Sequence, residues 1–162
     1  MNIGIIVHSQ TGNTYSVASK LKEKLVTLGN EVELERLKVT GEDKPGKKDV
    51  TLEKFPEAGK YGTIIFASPV QAFSLSPVMA SYLKQINSLK GKKVGCLMTQ
   101  YFPFPFLGGN RAMRQIINIC KSKGAIIFST GIVNWSRPGR EKNISQIVEN
   151  ITTQINNLKK QK

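Results

Sequence analysis

Four times along this 162-residue chain, a short apolar run gives way to a stretch in which apolar residues recur at helical spacing. Ile3, Ile5, Ile6 and Val7 precede Val17, Ala18, Leu21, Leu25 and Leu28. Thr63–Ala67 precedes Val78, Tyr82, Leu83 and Ile86. Lys93–Met98 precedes Met113, Ile116, Ile117 and Cys120. Ala125–Val133 precedes Ile144, Ile147, Val148, Ile151, Ile155 and Leu158. The short runs read as buried strands and the periodic stretches as helices with one apolar face. This alternation calls for parallel strands joined by crossover helices, a sheet covered on both faces.

The punctuation agrees. A helix starting at Asn13 is closed by Gly29-Asn30 as a left-handed cap would close it. Pro77 opens a helix over 77–86. Further helices are predicted over 110–123 and 142–158. Glu31–Leu37 reads as a sheet-edge strand, because Val32 and Leu34 alternate with charges. Lys38–Lys60, with Pro45-Gly46, is a long polar connection with no clear helix, and residues 159–162 read as a solvated tail. The length fits one domain over 1–162. Cys96 and Cys120 stand isolated in apolar contexts, which predicts two reduced, buried thiols and no metal site. His8, the one histidine, ends the first strand and is assigned a structural or site-edge role. No apolar run approaches a membrane span and no signal-type leader is visible, so a cytoplasmic protein is expected.

In a parallel sheet, ligands bind beyond the carboxyl ends of the strands, where strand order reverses. The loops at that edge are 9–14, 68–76, 99–109 and 134–140. The first, Ser9-Gln10-Thr11-Gly12-Asn13-Thr14, enters a helix N-terminus, where unpaired N–H groups and the dipole favour an anion. Gly12 allows close approach, and Ser9, Thr11 and Thr14 offer hydroxyls. No Lys or Arg lies in the turn, so it is not a nucleotide-triphosphatase loop, and the dinucleotide fingerprint GxGxxG is absent. The plainer alternative is a tight turn before a capped helix. The loops "SPVQAFSLS" and "TQYFPFPFLGG" set aromatics beside small polar residues. A flat aromatic ligand with a phosphate tail would use both kinds of loop. Phe73, Tyr101 and Phe102 are read as ligand contacts. Phe104 and Phe106 are read as folding back into a loop core.

"SQTGNT" after the first strand, "KYGTIIFASPVQAFSLSPVMASYLKQI" and "GKKVGCLMTQY", in this order, resemble the flavodoxin family over nearly the whole chain. The resemblance implies a three-layer, doubly wound α/β sandwich with a five-stranded parallel sheet in order 2-1-3-4-5. It also implies non-covalent flavin mononucleotide, FMN. By matching position, Ser9, Thr11, Gly12, Asn13 and Thr14 would hold the phosphate. Pro69, Val70, Gln71, Ala72 and Phe73, with Thr99, Gln100, Tyr101 and Phe102, would flank the ring. Two departures stand out. Gln71 occupies a position where relatives often carry an aromatic, and "YFPFPFLGG" replaces an acidic, tyrosine-bearing loop.

Charge is the third departure. Twenty-four Lys and Arg against 11 Asp and Glu give a net of +13, whereas carrier flavodoxins as a family are acidic. No carboxylate lies between Glu57 and Glu141, an interval that holds 11 basic residues. A nucleic-acid surface is the weaker reading, because the cations are spread over several elements and no recognition motif is present. Arg111, Arg114, Arg137 and Arg140 are expected near the site edge, suited to an acidic redox protein or to NAD(P)H phosphates. Missing negative charge near the ring would also ease the second reduction step of the flavin. Two functions remain open: an FMN electron carrier, or an NAD(P)H-dependent FMN reductase serving a quinone or similar small acceptor. A flavin-free interaction module is a weaker third, opposed by the intact "SQTGNT".

Overall fold

A computed structural model describes residues 1–45 and 47–161. Gly46 of the expected Pro45-Gly46 turn and Lys162 of the expected tail lie outside the described residues. In chain order the elements are β1 (Asn2–Val7), α1 (Asn13–Thr27), β2 (Glu31–Arg36), β3 (Lys38–Val39) and β4 (Leu52–Lys54). They continue with β5 (Thr63–Gln71), β6 (Ser74–Leu75), α2 (Pro77–Gln85), β7 (Lys93–Gln100), α3 (Gly109–Ser122), β8 (Ile126–Asn134) and α4 (Arg140–Lys160). The main sheet runs β2-β1-β5-β7-β8, all parallel, with β6 added antiparallel to the end of β5. In the order of the five predicted strands this is 2-1-3-4-5.

Strand alternation sorts the core into two layers. Ile5, Ile65 and Leu97 point to one face, against Leu21 and Leu25 of α1 and Ile147 and Ile151 of α4. Ile6, Phe66 and Cys96 point to the other, against Met79 and Leu83 of α2 and Ile116 of α3. Gly4 interrupts the apolar run of β1 for a steric reason: a Cβ there would lie 2.3 Å from the Tyr61 ring.

Several expectations need correction. The 38–60 connection contains a two-stranded antiparallel ladder, β3–β4, and a 3-10 turn at Ala58–Lys60. Its short strands sit in a charged segment with no apolar rhythm to reveal them. Helix α4 continues through Lys159 and Lys160, so the solvated tail does not begin at 159. Cys96 and Cys120 are buried and unbridged as predicted, but they are not isolated. The neighbouring Cys120 thiol, together with burial, pushes the Cys96 thiol well above its ordinary pKa. No described helix is long and apolar enough to cross a membrane.

Candidate cofactor-binding cleft

The turn between β1 and α1 is shaped by Gly12, which has φ +98° and no atom within 4 Å of where a Cβ would stand. Such a left-handed residue costs an L side chain about 1–2 kcal/mol and costs glycine little. The N–H groups of Gly12 and Tyr15 both donate to Ser9 Oγ, at 3.2 and 3.1 Å. Thr14, buried, shares a hydrogen bond with Thr99 across 2.7 Å. The turn itself carries no cation, but the neighbouring strand supplies one. Arg36, at the end of β2, donates to the Ser9 carbonyl and lies over the Tyr15 ring, 5.2 Å from its centroid. A single-strand reading cannot see this, because Arg36 arrives through the pairing of Val7 with Arg36.

A cleft of about 300 Å³ opens beside the turn. Of the candidate residues, it is lined by Thr11, Asn13, Thr14, Pro69, Val70, Gln71, Ala72, Thr99, Gln100 and Tyr101. Ser9 and Gly12 form the turn behind it. Phe73 and Phe102 border an adjoining hollow of about 180 Å³, which shares Val70, Ala72, Gln100 and Tyr101. The sequence reading missed three lining residues, Gln10, Pro45 and Trp135. Trp135 had a usable signal: it is the lone Trp and directly follows a predicted strand at the carboxyl edge.

The far wall is a hairpin, Val70–Leu75. Its two turn residues, Ala72 and Phe73, both have positive φ, 48° and 59°. Asn-Gly is the usual occupant of such a turn, so Ala-Phe holds strain next to the cleft. Gly108, at φ +108°, lets the 101–108 loop cross this hairpin, since a Cβ there would stand 2.7 Å from Phe73 Cα. The loop interior belongs to Gln100, whose Nε2 donates to the Phe104 carbonyl and to Asn134 Oδ1, each at 2.6 Å. Phe104 and Phe106 therefore do not fold back into a core. They are exposed and stack on each other, centroids 5.4 Å apart. Phe73 and Phe102 form a second parallel pair at 5.6 Å.

Behind the cleft, His8 is fully buried. Its Nε2 lies 2.9 Å from the Asp43 carboxylate and its Nδ1 2.8 Å from Ser76 Oγ. The carboxylate can only accept, so Nε2 carries the proton and Nδ1 accepts from Ser76. Ser76 Oγ in turn accepts from Met79 N and Ser68 Oγ. Burial pushes the His8 pKa below its ordinary value, Asp43 opposes that, and Arg36 adds to it. The chain Asp43–His8–Ser76–Ser68 thus ties the 43 region and the start of α2 to the end of β1.

Arg111, Arg114 and Arg137 are exposed, and among the described residues none has a carboxylate partner. Arg140 differs from expectation. Its guanidinium stacks 4.4 Å over Trp135 and donates to the Trp135 carbonyl, so it braces the cleft wall and is not a free edge cation.

No protein-family model matches the chain, and no curated protein matches it in sequence. Solved structures do. Flavodoxin 2 from Bacillus cereus is 21% identical with a TM-score of 0.71, covering 95% of this chain and 97% of its own. A flavoprotein from Lactobacillus acidophilus NCFM, solved in complex with FMN, is 13% identical at TM-score 0.64, covering 90% and 97%. The azoreductase AzrA is 14% identical at TM-score 0.64, covering 94% and 98%. The strand order, the helices on both faces and these neighbours together show that the chain has the flavodoxin-like fold.

Proposed function

We propose that the chain is an FMN-binding redox protein that passes electrons through the flavin, with residues 1–162 working as one domain. One observation carries this reading. Two backbone N–H groups, from Gly12 and Tyr15, converge on a single oxygen at a positive helix end, beside Arg36. That oxygen is the neutral Ser9 hydroxyl; a phosphate oxygen would accept such donors more strongly because it is charged. The open space around Gly12 fits the approach of such a group. Ser9, Thr11, Gly12, Asn13 and Thr14 then hold the phosphate. Pro69–Phe73 and Thr99–Phe102 flank the ring, with Trp135 as a further wall. The FMN-bound neighbour of the same fold supports the choice of ligand. FMN would supply the electron chemistry, while these residues bind it, orient it and limit water at its ring. Titration of ligand-free protein with FMN and with riboflavin tests this. FMN should bind saturably and riboflavin far more weakly; equal affinity for the two would remove the phosphate turn from the reading.

A second reading is an NAD(P)H-dependent reductase handing electrons to a quinone or other small acceptor. The observation favouring it is that Arg111, Arg114 and Arg137 stand exposed and, among the described residues, have no carboxylate partner, in segments adjoining the cleft loops. Nucleotide phosphates, or an acidic carrier partner, would meet them there. Anaerobic mixing of the FMN-loaded protein with NADH or NADPH separates the two. Rapid bleaching supports the reductase; bleaching only after a separate reductase is added supports the carrier.

A further inference from the structure

His8 is the one histidine of the chain, fully buried directly after β1 and outside the lining of the cleft. Its chain of hydrogen bonds does not stop at Ser68. Ser68 Oγ, also fully buried, lies 3.2 Å from Ser76 Oγ and 3.0 Å from the Pro69 carbonyl oxygen. It has a single hydrogen to give to the two. The Pro69 carbonyl stands where β1 has run out. β5 turns the Ala67 carbonyl towards the end of β1, where it accepts from His8 N at 2.9 Å. Alternation along the ladder turns the Pro69 carbonyl the same way two residues on. No residue of β1 is left to pair with it, and Pro69 lines the cleft beside Gln10.

Hydrogens and lone pairs match in two complete arrangements. With His8 neutral, Ser76 donates to Nδ1 and Ser68 donates to Ser76, which leaves the Pro69 carbonyl free. With His8 protonated, Nδ1 turns from acceptor to donor. Ser76 Oγ already accepts from Met79 N, so it takes the new N–H only by giving up Ser68 as a donor. Ser76 then donates to Ser68, and Ser68 donates to Pro69. Asp43 accepts from Nε2 in both arrangements. Every hydroxyl hydrogen has an acceptor in both, and the two differ by one proton taken up from solvent.

We propose that His8 is a positioning residue for the cleft, acting through Ser76 and Ser68: the Pro69 carbonyl is open to a ligand donor while the imidazole is neutral and is occupied by Ser68 once the imidazole is charged. The charged groups that face His8 are Asp43, from the segment after β3, and Arg36, at the end of β2. Burial disfavours the charged imidazole, Asp43 favours it and Arg36 disfavours it, with a lowered pKa as the result. The open arrangement is therefore the one held at neutral pH. The relay needs no cofactor; its effect on a ligand rests on the proposed FMN function. FMN carries N–H and O–H donors, and a donor that uses Pro69 competes with the proton on His8.

Heteronuclear NMR of the ligand-free chain tests the relay, with a single histidine to follow. At neutral pH the His8 nitrogens should show the Nε2–H tautomer. On acidification the Pro69 carbonyl resonance should move downfield, as a carbonyl does on accepting a hydrogen bond, along the same curve as His8. In Ser68→Ala that movement should vanish. The His8 pKa should also fall there, because the charged form loses the acceptor for Ser76. A Pro69 resonance that ignores the His8 titration in the wild type would overturn the proposal. So would an undiminished movement in Ser68→Ala, which would mark a plain effect of nearby charge, or a His8 that stays neutral down to acid unfolding. FMN titrations then test the competition. As pH falls through the His8 titration, the wild type should lose FMN affinity more steeply than Ser68→Ala, by up to about tenfold per pH unit. The titration of the FMN phosphate is common to both and cancels. Equal slopes would overturn the competition at Pro69. A chain that binds no FMN but shows the Pro69 titration would end the FMN function and leave the relay standing.

Discussion

On one rim of the cleft, residues 9–14, the side chains are polar and several are already engaged. Ser9 holds two backbone N–H groups, Thr14 is joined to Thr99, and Arg36 clasps the Ser9 carbonyl. On the other rim, residues 101–107, the rings of Tyr101, Phe102, Phe104 and Phe106 stand in solvent on a loop tied down at the Tyr101, Phe104 and Pro105 carbonyls. The contrast separates two tasks. Holding a charged group needs donors fixed in direction before the ligand arrives, because each misaligned bond forfeits most of its worth. Offering apolar surface needs only area and a rigid support. The polar rim is thus the place to look for ligand selectivity.

The largest effect that could break this division is on FMN affinity. Thr11→Ala combined with Thr14→Ala should weaken FMN by about 1.5–3 kcal/mol per hydroxyl, whereas Phe104→Ser with Phe106→Ser should leave FMN affinity unchanged. Titration of the apoprotein measures both, and the opposite ranking would move recognition to the aromatic rim. Next comes Ser9→Ala, which strips two N–H groups of their acceptor and should cost about 1–2 kcal/mol in urea unfolding without FMN. With FMN saturating, the loss should shrink, because the phosphate takes over those donors. Equal losses in both conditions would reduce Ser9 to a plain helix cap.

Acid sharpens the comparison further, since His8 lies behind the polar rim. Its folded-state pKa is lowered chiefly by burial from the ordinary 6.5. The unfolded chain therefore binds a proton that the folded chain refuses. The stability contributed by His8 is complete above about pH 6.5 and is lost as pH falls through the folded-state value, by at most about 1.4 kcal/mol per pH unit. Denaturant midpoints across this window should slope in the wild type and flatten in His8→Gln; an unchanged slope would assign the acid sensitivity to other groups. The smallest expected effect is at the hairpin. Ala72→Asn suits a positive φ better and should stabilise the fold by some tenths to about 1 kcal/mol. A simultaneous fall in FMN affinity would tie that strain to binding.

The sheet was legible because its signals are local. Ile3 to Val7, then Val17 to Leu28, state strand and helix by spacing alone. The 9–14 turn was legible for the same reason. What escaped depends on contacts between distant segments or on exposure. Arg36 reaches the turn only through strand pairing. Cys96 and Cys120 meet only because α3 covers β7. Phe104 and Phe106 were misread because aromatic residues are usually buried, and nothing in "FPFPF" reveals that Gln100 has taken the space inside. Trp135 was within reach, and Arg140 was placed correctly but assigned the wrong task.

Ser9 has one more consequence, and it concerns order in time. A turn that satisfies its own N–H groups with its own hydroxyl does not wait for a ligand to take shape. Under the proposed function, the chain can therefore complete its folding first and acquire FMN afterwards. A ligand that meets only the finished structure leaves the rate of folding untouched and slows the reverse reaction, so all of its protection appears as a longer native lifetime.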